Sequence, residues 1–387
     1  MKKVSVIILN YNGKSHLETY LPSVIKNTPL HIADIVVADN ASTDDSVEWL
    51  KETYPALKLI QLKRNYGYAE GYNVSIGRVD TPYVILLNSD VEVTPNWIQP
   101  MLTYMDEHQK VMAVQPKILQ YKDKTKFEYA GAAGGFLDKF GYPFCRGRIF
   151  TTLEEDNAQY DSIRQIFWAS GACMMVRRVD FIDYGGFDEN FFAHQEEIDF
   201  CWRVNARGRT IYYIPNSTVY HLGGGTLNQS NPKKTYYNFR NNMLMIYKNL
   251  NTSRLIPLAI IRFLLDYLAA FVYLITLKPK LAWAVVKARI DFYRVKGKVK
   301  AGRKENQIKT IRYTIPNVVY NGSILVSYYL LGKKKFSQLC SLNKAWAFWM
   351  AASLSVLPLS MRAIAVTLSS LFNWVTVVSL SPDFSTK

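Results

Sequence analysis

The chain has 387 residues, of which 49% are hydrophobic and 14% aromatic, and this composition excludes an intrinsically disordered protein. The net charge is +16, and residues 278–312 contribute +10 of it, because twelve basic residues there face two acidic ones. The charge therefore belongs to one segment. A chain of this length exceeds what one hydrophobic core supports, so we expect more than one region.

Four cysteines lie far apart in the sequence, with no CxxC pair and no His at zinc-site spacing. They are typical of reduced thiols in a cytosolic protein. The apolar run after Lys2 and Lys3 ends at Asn10 and is too short for the apolar core of a signal peptide, so we expect no export.

The first ninety residues alternate predicted strands and helices. Apolar runs predict strands at 4–9, 35–38, 57–62 and 83–87, and apolar residues at helical spacing predict the helices between them. This alternation indicates a Rossmann-like α/β fold with a mostly parallel sheet and flanking helices. Further on, the pattern predicts helices at 97–108 and 196–207, and strands at 111–114, 166–176 (with a tight bend), 211–214 and 219–220.

The composition changes after residue 251. Residues 255–277 are apolar except for Arg262 and Asp266, which lie four apart and share one helix face. The length would span a bilayer, but a central Arg–Asp pair favours a helix in the membrane interface, followed by the basic segment 278–312. A buried helix followed by a solvated basic helix is the alternative. Residues 345–381 form a second apolar stretch of undecided role.

Acidic residues follow the predicted strands or open a predicted helix. Asp90 ends the strand at 83–87, Asp39 ends the strand at 35–38, and Glu196, Glu197 and Asp199 begin the helix at 196–207. At the carboxyl edge of a parallel sheet, Asp39 can accept from a nucleobase N–H, Asp90 can bind a divalent cation, and Glu197 can act as a general base. A turn or helix-cap role for Asp90 and a solvated helix start for the acidic cluster are the alternatives.

Seven sequence blocks occur in the order found in family-2 glycosyltransferases: VSVIILNYNG, VVADNASTDDSVEWL, LKRNYGYAEGYNVSI, VILLNSDVEV, SGACMMVRR, GGFDENFFAHQEEIDFCWRV and VYHLGGGTL. The chain most resembles the rhamnosyltransferase-like branch that builds bacterial surface polysaccharides. The resemblance covers about residues 3–250 and implies a GT-A fold with inverting transfer from a nucleotide-diphospho-sugar. We therefore expect a catalytic domain at 1–250, a membrane-associating helical region at 251–340 and an apolar tail at 341–387.

The resemblance also implies site residues. Asn10, Tyr11, Asp39, Asn65, Gly67, Asn73, Asp90 and Arg240 would bind the nucleotide-sugar, although a surface arginine is an alternative for Arg240. Asn88 replaces the first acid of the family's DxD-like motif, which leaves Asp90 as the ligand for Mg²⁺ or Mn²⁺. His221 is a second candidate ligand or, alternatively, a strand-end His bonded to backbone.

Glu197 stands where the family usually has an Asp base, and the acceptor would contact Trp168, Ser170, Gly171, Glu196 and Asp199. Core packing is the alternative for the aromatic members of this set. In the implied mechanism, Glu197 deprotonates the acceptor hydroxyl, which attacks the anomeric carbon opposite the diphosphate. The expected acceptor is a glycan, in particular a lipid-linked one, and the expected location is the inner face of the plasma membrane.

Three other classes compete with this interpretation. A dinucleotide-dependent oxidoreductase would need G-x-G-x-x-G after the first strand, where this chain has Asn10, Tyr11, Asn12 and Gly13. A nucleic-acid binder would explain the charge, but the basic segment adjoins an apolar one and lies on no nucleic-acid motif, so we expect no nucleic-acid partner. A hydrolase or nucleotidyltransferase on the same fold is the third alternative.

Overall fold

The computed structural model of the protein describes residues 2–223, 231–313, 315 and 317–339. Its strands are β1 (Val4–Asn10), β2 (Ala33–Asp39), β3 (Lys58–Gln61), β4 (Tyr83–Asn88), β5 (Val91–Val93), β6 (Val111–Gln120), β7 (Gly135–Asp138), β8 (Pro143–Cys145), β9 (Arg148–Ile149), β10 (Thr152–Leu153), β11 (Arg164–Ile166), β12 (Cys173–Arg177), β13 (Thr210–His221) and β14 (Val319–Tyr320). Its α-helices are α1 (Lys14–Asn27), α2 (Ser46–Thr53), α3 (Gly67–Ile76), α4 (Gln99–Glu107), α5 (Arg178–Asp183), α6 (Glu196–Ala206), α7 (Pro232–Asn249), α8 (Thr252–Ile275), α9 (Pro279–Val295) and α10 (Lys300–Lys309).

The large sheet has the strand order β11-β13-β6-β12-β4-β1-β2-β3, and β5 pairs with β13. Strands β1 to β4 are mutually parallel, and β12 runs antiparallel to both of its neighbours, β4 and β6. Strands β6 and β13 therefore run in the same direction as β4, and β11 opposes them. The sheet is mixed but mostly parallel, as the sequence predicts.

Both faces of the sheet are covered, which explains why its central strands are apolar throughout. Alternate side chains of β1 and β4, such as Val6 and Ile85, join one core with helices α1, α2 and α4. The intervening side chains, such as Ile7 and Leu86, join a second core with α3, α5 and α6. The ends of these strands are consequently held rigidly at one edge.

A second, five-stranded sheet has the order β10-β9-β8-β7-β14. Its last strand comes from the C-terminal part of the described chain, and Phe336 packs on Phe136 and Phe144 at centroid distances of 5.0 and 6.2 Å. Residues 317–339 thus return to the region that follows β6. The expected domain boundaries at 250 and 340 remain predictions, and the apolar stretch 345–381 lies outside the described residues.

Helix α8 is, among the described residues, the one helix long and apolar enough to cross a membrane by length and composition. Its Arg262 and Asp266 are buried, and Asp266 lies 3.4 Å from Arg262 and 3.3 Å from Arg289 of α9. Arg262 also donates to Phe140 O and to Asn242 Oδ1. The charged stripe of α8 therefore faces the protein, and α9 packs against both α7 and α8.

Two predicted elements differ from the structure. The prediction of a single bent strand at 166–176 is wrong. This segment contains the end of β11 and most of β12, which lie at different positions in the sheet. The two short strands at 211–214 and 219–220 are one strand, β13, whose pairing register with β6 shifts between Ile214 and Thr218. A bulge of this kind interrupts the apolar alternation without ending the strand.

Replacing Asp266 with Ala leaves the buried guanidinium groups of Arg262 and Arg289 without their carboxylate. We expect the free energy of unfolding to fall by about 3–5 kcal/mol, the usual consequence of removing one partner from a buried ion pair. Urea denaturation followed by circular dichroism measures this change. Lys309→Ala is the control, because Lys309 pairs with Glu305 on an exposed helix face and should change stability by less than about 0.5 kcal/mol. Equal losses for the two variants would contradict the assigned burial.

Candidate active site

The register of the parallel strands brings polar residues together at the carboxyl edge of the large sheet. Asn10 ends β1 and pairs with Asp39 of β2, while Leu9 pairs with Asn88 of β4. The antiparallel strand β12 begins at this edge, and Asn88 N donates to Ala172 O just before it. His221 ends β13 at the same edge, opposite Val91 of β5. The carboxyl edge thus collects polar side chains from four strands, and this edge is the usual place for a ligand in such sheets.

The predicted nucleotide contacts Asn10 and Asp39 form one buried group. Asn10 Nδ2 donates to Asp39 Oδ1 at 3.1 Å, and Asp39 Oδ2 accepts from Ser42 N at 3.0 Å. Tyr11 follows Asn10 and is 47% exposed, which leaves its ring available to a ligand. The fixed carboxylate of Asp39 is suited to accept a hydrogen bond from the edge of a nucleobase, and the exposed ring of Tyr11 is suited to stack on its face.

The loop before α3 is attached to this group through Asn40. Asn40 Nδ2 donates to Gly67 O at 2.9 Å and to Asn65 Oδ1 at 3.2 Å. Gly67 has φ +72°, and a Cβ there would meet Phe192 at 2.7 Å, so only glycine fits between α3 and the loop that precedes α6. Asn40, the residue after Asp39, therefore connects Asn65 and Gly67 to the Asn10–Asp39 group.

Asp90 and His221 are in direct contact. His221 Nε2 lies 3.1 Å from Asp90 Oδ1, and His221 Nδ1 lies 3.4 Å from Glu128 Oε2. Burial alone would lower the pKa of His221, but Asp90 and Glu128 raise it to about 10. Burial would raise the pKa of Asp90, but His221 outweighs this effect and lowers it. The three residues form a buried row of charged groups, in which the Asp90–His221 contact is a hydrogen bond and the His221–Glu128 contact is an ion pair.

The donor atoms of Asp90 and His221 fit a divalent cation such as Mn²⁺, which accepts both carboxylate and imidazole ligands. Binding would require His221 to release its proton. Among the described residues, no group of three or more His, Cys, Asp and Glu side chains is arranged to hold a metal ion. A cation here would therefore take its remaining ligands from the phosphates of a bound nucleotide and from water.

Glu196 and Glu197 begin α6 with carboxylate oxygens that have no hydrogen-bond partner among the described residues. Burial raises the pKa of Glu197 to about 7. Burial and the neighbouring Glu197 together raise the pKa of Glu196 well above its usual range. Glu196 is 4% exposed, whereas residue Glu197 is partly exposed, although its Oε2 atom is buried. A carboxylate with a pKa near neutrality is suited to general-base chemistry.

The loop before Glu197 has an unusual backbone conformation. Phe192, His194 and Gln195 all have positive φ, at 63°, 69° and 76°. Such conformations persist only where surrounding contacts enforce them. Asn241 of α7 supplies these contacts, since its Nδ2 lies within 3.0 Å of the carbonyl oxygens of Phe191, Ala193 and His194. The N–H of Tyr68 in α3 also donates to Phe192 O at 2.9 Å.

Asp199 is a correction to the predicted acceptor site. Its side chain is fully buried and accepts from Arg203 Nε at 3.2 Å, Lys248 Nζ at 2.8 Å and Asn249 Nδ2 at 2.7 Å. No acceptor can reach a carboxylate so enclosed. The structure instead gives Asp199 the role of joining α6 to α7, and the buried Glu196 lies on the same side of the helix.

Asn73 and Arg240 are also committed to the protein rather than to a nucleotide. Asn73 accepts from Phe187 N at 2.9 Å and donates to Phe187 O at 2.8 Å. Arg240 donates to the carbonyl oxygens of Asn190 and Phe191, both at 3.1 Å. Both residues hold the segment before α6, so their predicted direct nucleotide contacts are not supported.

Trp168, Ser170 and Gly171 form a buried wall beneath the site. Trp168 Nε1 donates to Phe136 O at 3.0 Å, and Ser170 Oγ donates to Ala130 O at 2.5 Å. Gly171 O accepts from Tyr68 Oη at 2.7 Å. Their polar groups are bound to the main chain or to Tyr68, which corrects the predicted acceptor contacts of Trp168 and Ser170 to packing roles.

Sequence reasoning missed Glu128, His194 and Asn241. Burial lowers the pKa of His194 to about 4, and the charge of Lys234 adds to this effect. Glu128 contacts His221, which lies 93 positions away in the chain. Asn241 contacts carbonyl groups that lie 47 to 50 positions away. The repeated Asn in the NFRNN block was a usable signal, because two consecutive amides in a helix interior are unfavourable unless they bind something.

Comparisons with known proteins identify a family model and related sequences. A family model described as glycosyl transferase family 2 matches residues 5–185. The N-acetylglucosaminyl-diphospho-decaprenol L-rhamnosyltransferase of Mycobacterium tuberculosis is 29% identical over 234 residues, covering 56% of this chain and 75% of its own length. The rhamnosyltransferase WbbL of Escherichia coli K12 is 23% identical over 229 residues, covering 56% of this chain and 83% of its own.

Solved structures resemble the fold more distantly. A mannosyltransferase from Pyrobaculum calidifontis in complex with GDP-Man and Mn²⁺ superimposes with a TM-score of 0.47 at 14% identity, covering 79% of this chain and 84% of its own. GalNAc-T7 with UDP, GalNAc and Mn²⁺ gives a TM-score of 0.49 at 17% identity, covering 64% of this chain and 48% of its own. On the family match, residues 5–185 form a glycosyl transferase family 2 domain, and the related sequences named above are rhamnosyltransferases.

Proposed function

We propose that the chain transfers a sugar with inversion from a nucleotide-diphospho-sugar to a hydroxyl of a lipid-linked glycan in surface-polysaccharide synthesis. The observation that carries this proposal is the carboxylate of Glu197 at the start of α6, whose Oε2 has no hydrogen-bond partner among the described residues and whose pKa burial raises to about 7. The loop before it is bound to α3, which follows the Asn65–Gly67 turn beside Asp39. The proposed base, Glu197, and the proposed nucleoside-binding carboxylate, Asp39, are thus connected through α3 and the loop before it.

In this mechanism the nucleobase contacts Asp39, and the sugar's anomeric carbon lies where a hydroxyl held by Glu197 can attack it. Glu197 removes the hydroxyl proton while the nucleoside diphosphate leaves. Asp90 and His221 are the residues that would hold Mg²⁺ or Mn²⁺, and such an ion would neutralise charge on the departing diphosphate. Both relatives named above are rhamnosyltransferases, which favours rhamnose as the transferred sugar and a diphospholipid-linked sugar as the acceptor.

We place the protein in the cytoplasm, at the inner face of the plasma membrane. Helix α8 supports this, because its outer face carries a row of exposed apolar side chains, including Leu264 at 52%, Leu268 at 56% and Phe271 at 58%. The basic residues of α9 and α10 follow directly and would attract anionic lipids. Residues 1–250 would then be the catalytic domain and residues 251–340 the membrane-associating region.

Replacing Glu197 with Gln should reduce kcat by at least about 10²-fold, because an amide cannot accept the acceptor proton. In the unmodified protein, kcat should fall as the pH drops below about 7, where Glu197 becomes protonated. Acceptor-dependent release of the nucleoside diphosphate measures both effects. Glu107→Gln, on the exposed side of α4, is the control and should leave kcat unchanged. Calorimetry should show that the Glu197→Gln protein binds the nucleotide as the unmodified protein does. Full turnover by the Glu197→Gln protein would remove it as the base.

Replacing Asp90 with Asn should lower kcat for sugar transfer by about 10²-fold, since the predicted cation loses its carboxylate ligand. The factor by which Mn²⁺ strengthens nucleoside-diphosphate binding should fall by about the same amount. Titrating the nucleoside diphosphate with and without Mn²⁺ measures this. Glu92→Gln is the matched control, because Glu92 lies on the adjacent strand β5 and pairs with Lys124. A Mn²⁺ dependence that survives in the Asp90→Asn protein would show that the cation binds elsewhere.

Introducing charge on the outer face of α8 should detach the full chain from membranes. In flotation with anionic vesicles, the double variant Leu264→Glu/Phe271→Glu should bind at least about tenfold more weakly, because two apolar contacts are lost and two like charges are added. Ile163→Glu, 46% exposed on the α/β region, is the control and should float like the unmodified protein. Normal flotation of the α8 variant would place the anchor in another segment.

A further inference from the structure

The segment between Tyr328 and Phe336 is fixed to the second sheet at both of its ends. Tyr328 is buried, and its hydroxyl forms a hydrogen bond with Thr152 Oγ1 at 2.8 Å. Phe336 is buried as well, and its N–H donates to Glu154 Oε1 at 3.0 Å. Both ends are therefore bound to strand β10 or to the residue that follows it. Between them, residues 329–335 form a loop whose place on the protein is set by these two anchors.

Three consecutive apolar side chains are exposed in this 329–335 loop. Tyr329, Leu330 and Leu331 are 63%, 76% and 48% exposed. Single exposed apolar residues are common on protein surfaces, but contiguous ones indicate contact with another protein or with a membrane. Because buried anchors hold the loop on both sides, its apolar side chains are presented outward by the fold. The loop therefore has the character of a contact surface.

The charge beside these side chains favours a membrane as the other surface. Lys333, Lys334 and Lys335 complete the loop, and the last two are exposed. Residues 306–339 contain five basic residues and no acidic one. An acidic protein partner would match the lysines alone. A bilayer with anionic lipids presents negative headgroups directly above an apolar layer, so it matches both the lysines and the apolar half of the loop.

The 329–335 loop and helix α8 are attached to the same turn, which connects β7 to β8. Asp138 Oδ2, at the start of this turn, accepts from the N–H of Ile324 at 2.9 Å, in the segment that leads to the loop. Arg262 Nη1 of α8 donates to Phe140 O of the same turn at 3.1 Å. The loop is thus connected through this turn to the helix whose outer face is apolar and exposed.

We propose that the 329–335 loop is a second membrane contact, whose exposed apolar side chains enter the interfacial layer of an anionic bilayer and whose lysines bind its headgroups. The proposal rests on the proposed location of the protein at the membrane and adds a contact separate from α8. A single helix lying in the interface leaves the protein free to roll about the helix axis. A second contact removes that freedom, so the loop would set the orientation of the catalytic region above the membrane.

Flotation of the full chain with vesicles of phosphatidylcholine, alone or mixed with phosphatidylglycerol, tests this contact. The Leu330→Ser/Leu331→Ser protein should bind the mixed vesicles at least about tenfold more weakly, because two apolar side chains no longer leave water. Lys335→Gln should weaken binding to the mixed vesicles by about fivefold and leave binding to phosphatidylcholine unchanged, because one attraction to anionic headgroups is lost. Leu30→Ser/Ile163→Ser is the matched control, since these side chains are 57% and 46% exposed on the α/β region, and it should float like the unmodified protein.

Photo-crosslinking identifies what covers the loop. With p-benzoylphenylalanine in place of Leu330, irradiation of the vesicle-bound full chain should give a phospholipid adduct, detected by mass spectrometry. The same group in place of Ile163 should give none. A crosslink from position 330 to residues 340–387 of the chain or to a second copy, in place of lipid, would assign the loop another occupant and overturn the proposal.

Normal flotation of the Leu330→Ser/Leu331→Ser protein, with circular dichroism confirming its fold, would also overturn the proposal. The role of α8 is tested separately by the Leu264→Glu/Phe271→Glu protein. Normal flotation of that protein, together with weak flotation of the loop variant, would support the loop and reject the assignment of α8. Sugar transfer in detergent is measured independently of flotation, so its absence would reject the proposed function without bearing on the loop.

Discussion

The geometry of the active site depends on the buried carboxylate of Asp199. It joins Arg203 on its own helix to Lys248 and Asn249 of α7, and Lys248 also reaches Asp188 at 2.6 Å, before the catalytic loop. A charge network without solvent is stable only in one arrangement, because each unpaired member would keep the full cost of its desolvation. The start of α6 is therefore fixed relative to α7, and Asn241 of that helix can hold the left-handed loop that presents Glu197.

This rigidity explains how two adjacent glutamates can differ in role. Helical geometry turns successive side chains by about 100°, so Glu196 faces the interior with Asp199 while Glu197 faces the cleft. Two carboxyl groups so close in a poorly solvated place do not both ionise readily at neutral pH. Burial raises the pKa of both carboxyl groups, and the charge of Glu197 raises the pKa of Glu196 further. A fixed backbone thus sets the acid–base chemistry.

The sequence predicted the order of the first strands and helices, because long apolar runs at regular spacing need no distant partner to be recognised. It also located Asp39, Asp90 and Glu197, which follow such runs or open a periodic helix. It did not predict the second sheet, whose strands are two to four residues long and include β14 from far along the chain. It wrongly assigned Asp199, Asn73 and Arg240 to ligand binding. These side chains instead form hydrogen bonds with residues 49 to 114 positions away in the chain, which only folding brings close.

The burial of charged side chains also bears on the proposal that α8 lies in the membrane interface rather than across the membrane. A helix across a bilayer would need its charged side chains to find partners in adjacent spans. Here Arg262 and Asp266 are satisfied by Asn242, Phe140 and Arg289, all in the protein that lies against one side of the helix. The opposite side is apolar and exposed. A helix with one face packed on the protein and the other face apolar suits the proposed position of α8 in the membrane interface.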